Sequence, residues 1–308
     1  MSATYSIFLT DPFGVRLTDA LPFVRLEYTR VVNDISSLKV SLPVTTPRTA
    51  IIVPDGRVEV FRRLPGGREY LDTDVTWLIK AVEYSRDDGG LQTLIVEADT
   101  PLSLLREPGR FVDYYSESAQ AKQTGNLDDM AKQIVRQNAG SLATDTNRNL
   151  APYLTVAPNL SAAPSDTKAF AWRGVLNVLQ ELAQASREQG TYMAFDIVAA
   201  PSPETYEFRT YTGQRGVDHR AGTGDGQVII GPDFGNTGAC SLRIDYRDEV
   251  TFVRAGGQLT GADRVTATAQ DNTRIGASPF GRRELFQDAT QYSTTTGLTQ
   301  EAQAALRA

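Results

Sequence analysis

Between Val24 and Leu42 apolar side chains recur at every second position, and this period of two constrains the fold more than any other feature of the chain. Val24, Leu26 and Tyr28 alternate with Arg25, Glu27 and Thr29, and Leu38, Val40 and Leu42 alternate with Ser37, Lys39 and Ser41. Successive side chains of an extended strand point to opposite faces, so each run reads as a strand with one buried and one wet face. The turn-forming pair Asn33-Asp34 between them predicts a hairpin. Val58 and Val60 mark a third strand, Trp77 to Tyr84 a fourth and Leu91 to Ala98 a fifth, with the polar turn Arg86-Asp87-Asp88-Gly89-Gly90 joining the last two. Short strands at this spacing predict a small barrel or sandwich, because curling the sheet toward closure removes exposed edges. This first unit is expected over residues 1–108.

From Phe111 the period lengthens to that of a helix. Leu127, Met130, Ala131, Ile134 and Val135 share one face, Asn126 stands at the N-cap position, Asp129 is placed for a capping box and Gly140 for a stop. Ser141 to Thr167, rich in Ala, Pro, Asn and Thr, reads as an extended connection. A second amphipathic helix is predicted over Trp172 to Gln189, with Val175, Leu176, Leu179, Leu182 and Ala183 on its apolar stripe. These features define a helix-containing insertion over 109–190. Strands resume at Tyr192–Val198 and Tyr206–Tyr211, then near Ser241–Tyr246, Glu249–Arg254, Arg264–Ala269 and Arg283–Phe286, before a helical pattern from Leu298 to Arg307. Residues 191–308 are expected to form a second β domain. Its stop at Ala308, directly after a helix, suggests an incomplete C-terminal domain.

A chain of 308 residues has room for two or three domains, since a single core stops growing near about 250 residues. No apolar run has the roughly 18 residues a membrane-spanning helix needs, and Met1 to Asp11 lack a signal-peptide pattern, so the expectation is a soluble protein made in a cytoplasm. The net charge of -6 opposes nucleic-acid binding and suits a wall that DNA passes without sticking. Only five lysines occur, leaving arginine to supply most of the positive charge.

No cofactor or metal site is expected. Cys240 is the lone cysteine and reads as a small buried side chain, while His219, the lone histidine, sits among loop-forming residues. The segment Gly222 to Gly226 has no lysine and Ser/Thr pair to close a phosphate loop. Ser293 to Thr296 lacks a nucleophile elbow. Asp113 with Glu117, and Asp128 with Asp129, are the carboxylate pairs to weigh for glycosidase-like acid/base work. Asp128 and Asp129 are accounted for more simply by the positive end of a helix. Trp77 is expected in the core and Trp172 in helix docking.

Four stretches together resemble the tail hub, or minor tail, proteins of long-tailed siphophages. They are Phe23 to Arg30 with Ile35 to Pro43; Val58 to Arg62 through Trp77 to Tyr84 and on to Ala98–Leu105; Trp172 to Gly190; and Asp248 to Gly257 with Arg264 to Thr266 and Gly281 to Phe286. The last, a strand, Ala-Gly-Gly, a second strand and Gly-Arg-Arg-Glu, is the most specific. The resemblance implies a mainly β protein with an α+β insertion, in which two tail-tube-like β-barrel domains flank a small helical domain. It further implies a non-catalytic homotrimer at the distal end of the virion tail, matching a sixfold tube to a threefold tip. Its partners would be the distal tail or tail tube protein, the tape measure protein and a tail fibre or spike, with DNA passing through unbound. A sugar-binding host-adhesion module and a cell-wall hydrolase are the alternatives.

Overall fold

The computed structural model describes residues 3–44, 52, 53, 55–86, 90, 92–113, 121–200, 202–216, 241, 247–290 and 292–307. Glu117, His219, Cys240, the segment Gly222–Gly226 and the expected strand over 242–246 lie outside the described residues. The fold is mainly β. Packing divides the chain into two compact units, residues 1–186 with 192–213, and residues 187–191 with 214–308.

In the first unit the alternating sequence becomes one sheet of seven strands: β1 (Thr4–Thr10), β2 (Arg25–Thr29), β3 (Ser37–Pro43), β4 (Arg57–Arg63), β5 (Glu69–Leu71), β6 (Trp77–Arg86) and β7 (Gln92–Asp99). The path runs β1-β4-β6-β7-β3-β2, with β5 on β4. The expected hairpin forms, pairing Leu26 with Val40 and Tyr28 with Leu38. Its strand starts at Arg25, so Val24 falls outside the ladder and stands exposed. Ile7, Leu9, Leu38, Val40, Leu42, Val58, Val60, Trp77, Leu94 and Val96 fill the concave side. Trp77 is 1% exposed, the core position expected for it. The sheet is an open half-barrel among the described residues: β1 and β2 share no ladder, and the segment before β2 lies along β1 instead.

At the end of β7 the chain turns into a short 3-10 helix, Pro101–Leu105, that drops Leu102 and Leu105 into a second core. That core is built from β8 (Ala121–Asn126), α1 (Leu127–Asn138), β9 (Leu154–Val156), β10 (Ser165–Phe170), α2 (Val175–Glu188), β11 (Met193–Ala199) and β12 (Tyr206–Thr212). Both helices bury the stripes read from the sequence, Leu127, Met130, Ala131, Ile134 and Val135 on α1 and Val175, Leu176, Leu179, Leu182 and Ala183 on α2. β11 and β12 pair antiparallel, and β9 adds to β12 in parallel. Phe195, Ile197 and Phe208 pack in the same core as the helices. The sequence places a boundary at 190, whereas these strands group with the helices they cover, because neither helix can bury its stripe without them. The stretch read as an extended connection holds β9 and opens β10, whose alternation of exposed and half-buried residues carries little apolar signal.

The second unit contains β13 (Phe252–Gly256), β14 (Thr266–Gln270), the short α3 (Asn272–Gly276), β15 (Glu284–Asp288) and α4 (Thr295–Arg307). β13 lies between β14, antiparallel, and β15, parallel. Leu298 and Ala302 of α4 meet Val253, Ala255, Ala267 and Ala289. Small side chains set this distance. A methyl added at Gly257 would stand 2.6 Å from the Tyr292 carbonyl oxygen and 2.9 Å from Leu298, while one at Gly256 would meet Arg264 and Phe286, each at 2.6 Å. The Ala255-Gly256-Gly257 run singled out in the sequence therefore lets the turn before α4 and an arginine-aromatic pair both close on β13.

Candidate functional site

The carboxylates that sequence offers for chemistry are committed to structure. Asp128 accepts the backbone N–H groups of Ala163 at 3.0 Å and Ala162 at 3.3 Å. Asp129 accepts those of Leu160 at 2.8 Å and Ser161 at 3.1 Å, and the Ser161 hydroxyl at 2.8 Å. Together they clamp the loop 160–163 onto the first turn of α1, with Ser161 in the left-handed region at φ 50°. The Lys132 ammonium is fully buried, 3.6 Å from Asp129 and 3.8 Å from Asp128. Burial pushes the Asp129 carboxyl upward, but the bonds from Leu160 and Ser161 and the Lys132 charge outweigh it and hold the group below its ordinary range. The capping box expected at this helix is absent: the Asn126 side chain makes no cap bond and donates to the Ala163 carbonyl oxygen at 2.7 Å. The loop has taken the groups a local cap would use.

Asp113 pairs with Arg148 at 3.0 Å, and its backbone N–H donates to Asn138. Among the described residues no cluster of three or more His, Cys, Asp or Glu is placed to hold a metal ion. No described helix is long and apolar enough to cross a membrane.

Among the described residues the two edges of the half-barrel differ. On β1, Leu9 donates to the Thr18 hydroxyl at 3.1 Å, Leu17 donates to the Leu9 carbonyl oxygen at 2.8 Å and Leu21 to that of Ile7 at 2.8 Å. The strap 17–21 thus occupies the outer edge of β1. β2 ends the sheet on the other side and, among the described strands, pairs with β3 alone. Its wet face carries Arg25 paired with Glu27 at 2.5 Å, beside Lys39 paired with Glu97 at 2.8 Å. A shallow groove of about 800 Å³ runs there along Glu27, Thr29, Ser37, Lys39, Glu97 and Asp99. From the buried face of β2, the Tyr28 hydroxyl donates to Asp72, which is itself buried. The edge strand thus carries paired charges on its wet face and a tyrosine fixed by a buried carboxylate on its inner face, and such edge charges discourage indiscriminate stacking.

This edge was legible as the hairpin strand Arg25 to Thr29. That it is the open edge was not, because the pairing of β1 with its strap has no sequence signal. Trp172 departs from expectation too: it is 55% exposed, rather than docked under a helix, and stacks on Phe111.

Comparison with known proteins fits these features. A family model described as siphovirus ReqiPepy6 Gp37-like protein matches residues 16–308. The tail protein from Neisseria meningitidis MC58 shares the fold with a TM-score of 0.50 at 13% identity, over 97% of this chain and 74% of that one. An E. coli type VI secretion component, c3393, reported as structurally similar to the T4 bacteriophage tail proteins gp27 and gp5, aligns with a TM-score of 0.35 at 9% identity, over 68% of this chain and 47% of that one. No curated protein sequence matches the chain. The siphophage resemblance read from the sequence is borne out.

Proposed function

The chain belongs to the siphovirus ReqiPepy6 Gp37-like family, and from that membership we propose that it is a non-catalytic structural protein of a phage tail, the hub at the distal tip. The observation that carries this reading is the half-barrel with one edge strapped and the other, β2, without a second strand among the described residues. A strand edge left unpaired is a template for pairing with another chain.

In this reading three copies form the ring, each with two tail-tube-like barrels, so that six barrels meet a sixfold tube. The distal tail or tail tube protein lies above, the tape measure protein ends within, and a fibre or spike continues below. A chain of net charge -6 lines the channel without retaining DNA. The structural roles of Asp128 and Asp129 favour this over a tail-borne hydrolase. Native mass measurement of isolated tail tips is expected to give three copies of this chain. A single copy or six would overturn the hub.

A further inference from the structure

A cationic and aromatic patch stands apart from the β2 edge, where residues 110–113 run beside 172–175. The Val112 N–H donates to the Arg173 carbonyl oxygen at 2.8 Å, the Trp172 N–H to that of Val112 at 3.1 Å and the Val175 N–H to that of Arg110 at 3.0 Å. This ladder holds Trp172 at φ 54°. A bulky non-glycine residue is strained there, and such strain clusters at functional sites. What is presented is the indole, 5.5 Å from the Phe111 ring, which is itself 38% exposed.

Two arginines flank the rings. The Arg148 guanidinium lies 4.8 Å from the centroid of Phe111 and is fixed by Asp113 at 3.0 Å, the Phe111 carbonyl oxygen at 2.5 Å and Asn138 at 3.1 Å. Arg110 makes no ion pair among the described residues and donates only to the carbonyl oxygens of Gly109, at 2.9 Å, and Arg148, at 3.4 Å. Burial, and then the charge of Arg148, push its guanidinium below the ordinary value. Of these two neighbouring like charges only Arg148 has a carboxylate, Asp113, and a carboxylate from outside would relieve Arg110. Aromatic and arginine side chains together are also the types that dominate binding energy at protein interfaces.

We propose that Arg110, Phe111, Arg148 and Trp172 form a docking site for an acidic peptide segment of a partner protein. One carboxylate of the segment takes the fork of Arg110, and a neighbouring apolar side chain covers Trp172. The tilted rings, at 50° to each other, present ridges rather than the flat platform a sugar ring stacks on. Arg110, left without an ion pair among the described residues, favours an acidic partner over a basic one. The proposal does not depend on copy number.

The test uses the full chain and two fluorescein-labelled peptides, one of alternating Glu, Leu and Asp and its Gln, Leu and Asn counterpart, read by anisotropy. The acidic peptide is expected to bind at least tenfold more tightly than the neutral one, and Arg110→Gln to remove that difference. Trp172→Gly is expected to raise the melting temperature by releasing strain while weakening peptide binding, a combination a purely structural tryptophan does not give. Equal binding of the two peptides, indifference to Arg110→Gln, or binding of polygalacturonate in place of the acidic peptide each overturns the proposal.

Discussion

The side chain of Asn33 completes the edge of β11 as a strand would: its Oδ1 accepts the Phe195 N–H at 2.8 Å while its Nδ2 donates to the Met193 carbonyl oxygen at 3.1 Å. Its own carbonyl oxygen accepts the Gln180 side chain of α2 at 3.0 Å. One turn residue of the half-barrel hairpin thus joins that sheet to the helical core. The ion pair of Arg30 with Asp196 at 2.5 Å, and buried Arg57, which donates to the carbonyl oxygens of Pro12, Pro203 and Glu204 and covers Tyr206, reinforce the same seam.

Asn33→Ala is therefore expected to destabilise the first unit by about 2–4 kcal/mol. Two hydrogen bonds are lost at about 1 kcal/mol each, and alanine must hold φ 59° without a local side-chain bond. Asn33→Gly keeps the backbone conformation and loses only the bonds, so it should cost less than alanine. Urea unfolding of the two variants separates the contributions, and alanine proving no worse than glycine would show that the left-handed backbone is not strained.

The loop clamp at α1 gives a prediction in pH. Asp129 has a folded pKa below its unfolded value of about 3.9. Its contribution is therefore whole above about pH 4 and is lost as pH falls through the lower, folded value. Asp129→Asn, which keeps one acceptor but loses the charge, is expected to cost roughly 1–3 kcal/mol at pH 7 and less at pH 2. Urea midpoints at the two pH values check it; an equal penalty at both would locate the effect outside this carboxylate.

The strands of the half-barrel were legible because their alternation reflects a sheet with one dry face: Leu38, Val40 and Leu42 are buried and Ser37 and Lys39 exposed, as the period demands. The helices were legible for the same reason. β8 and β10 were not, since a two-stranded ribbon such as Ser165–Phe170 buries little and needs no apolar period. Asp128 and Asp129 looked like residues answering a helix dipole, and their partners lie 31 to 35 positions along the chain. The Gly256-Gly257 pair was conspicuous as a run, but the two opposite contacts that require it come from Phe286 and the Tyr292–Leu298 turn, both distant in sequence.

Those contacts order two further variants. In Gly257→Ala the new methyl meets a backbone carbonyl oxygen, which cannot yield without moving the turn into α4. In Gly256→Ala it meets side-chain atoms of Arg264 and Phe286, which can move. Overpacking of this kind costs about 1–3 kcal/mol, and Gly257→Ala is expected at the upper end and Gly256→Ala at the lower. Limited proteolysis of residues 247–307 with time gives the ranking, and the reverse order would mean that α4 is not held through Gly257.

Asp113 separates a structural account from an enzymatic one. As half of a carboxylate pair with Glu117 it would be indispensable to wall hydrolysis, and Asp113→Ala would abolish clearing of host cell wall in a zymogram. As the partner of Arg148, with part of the pair exposed, it is expected to contribute only about 0.2–1 kcal/mol to stability. The wild-type chain is expected to clear no wall at all, and Asp113→Asn should instead strengthen binding of the acidic peptide, because the carboxylate that neutralises Arg148 is removed. Clearing by the wild type that disappears in Asp113→Ala would assign this residue to catalysis and remove the structural reading of the patch with it.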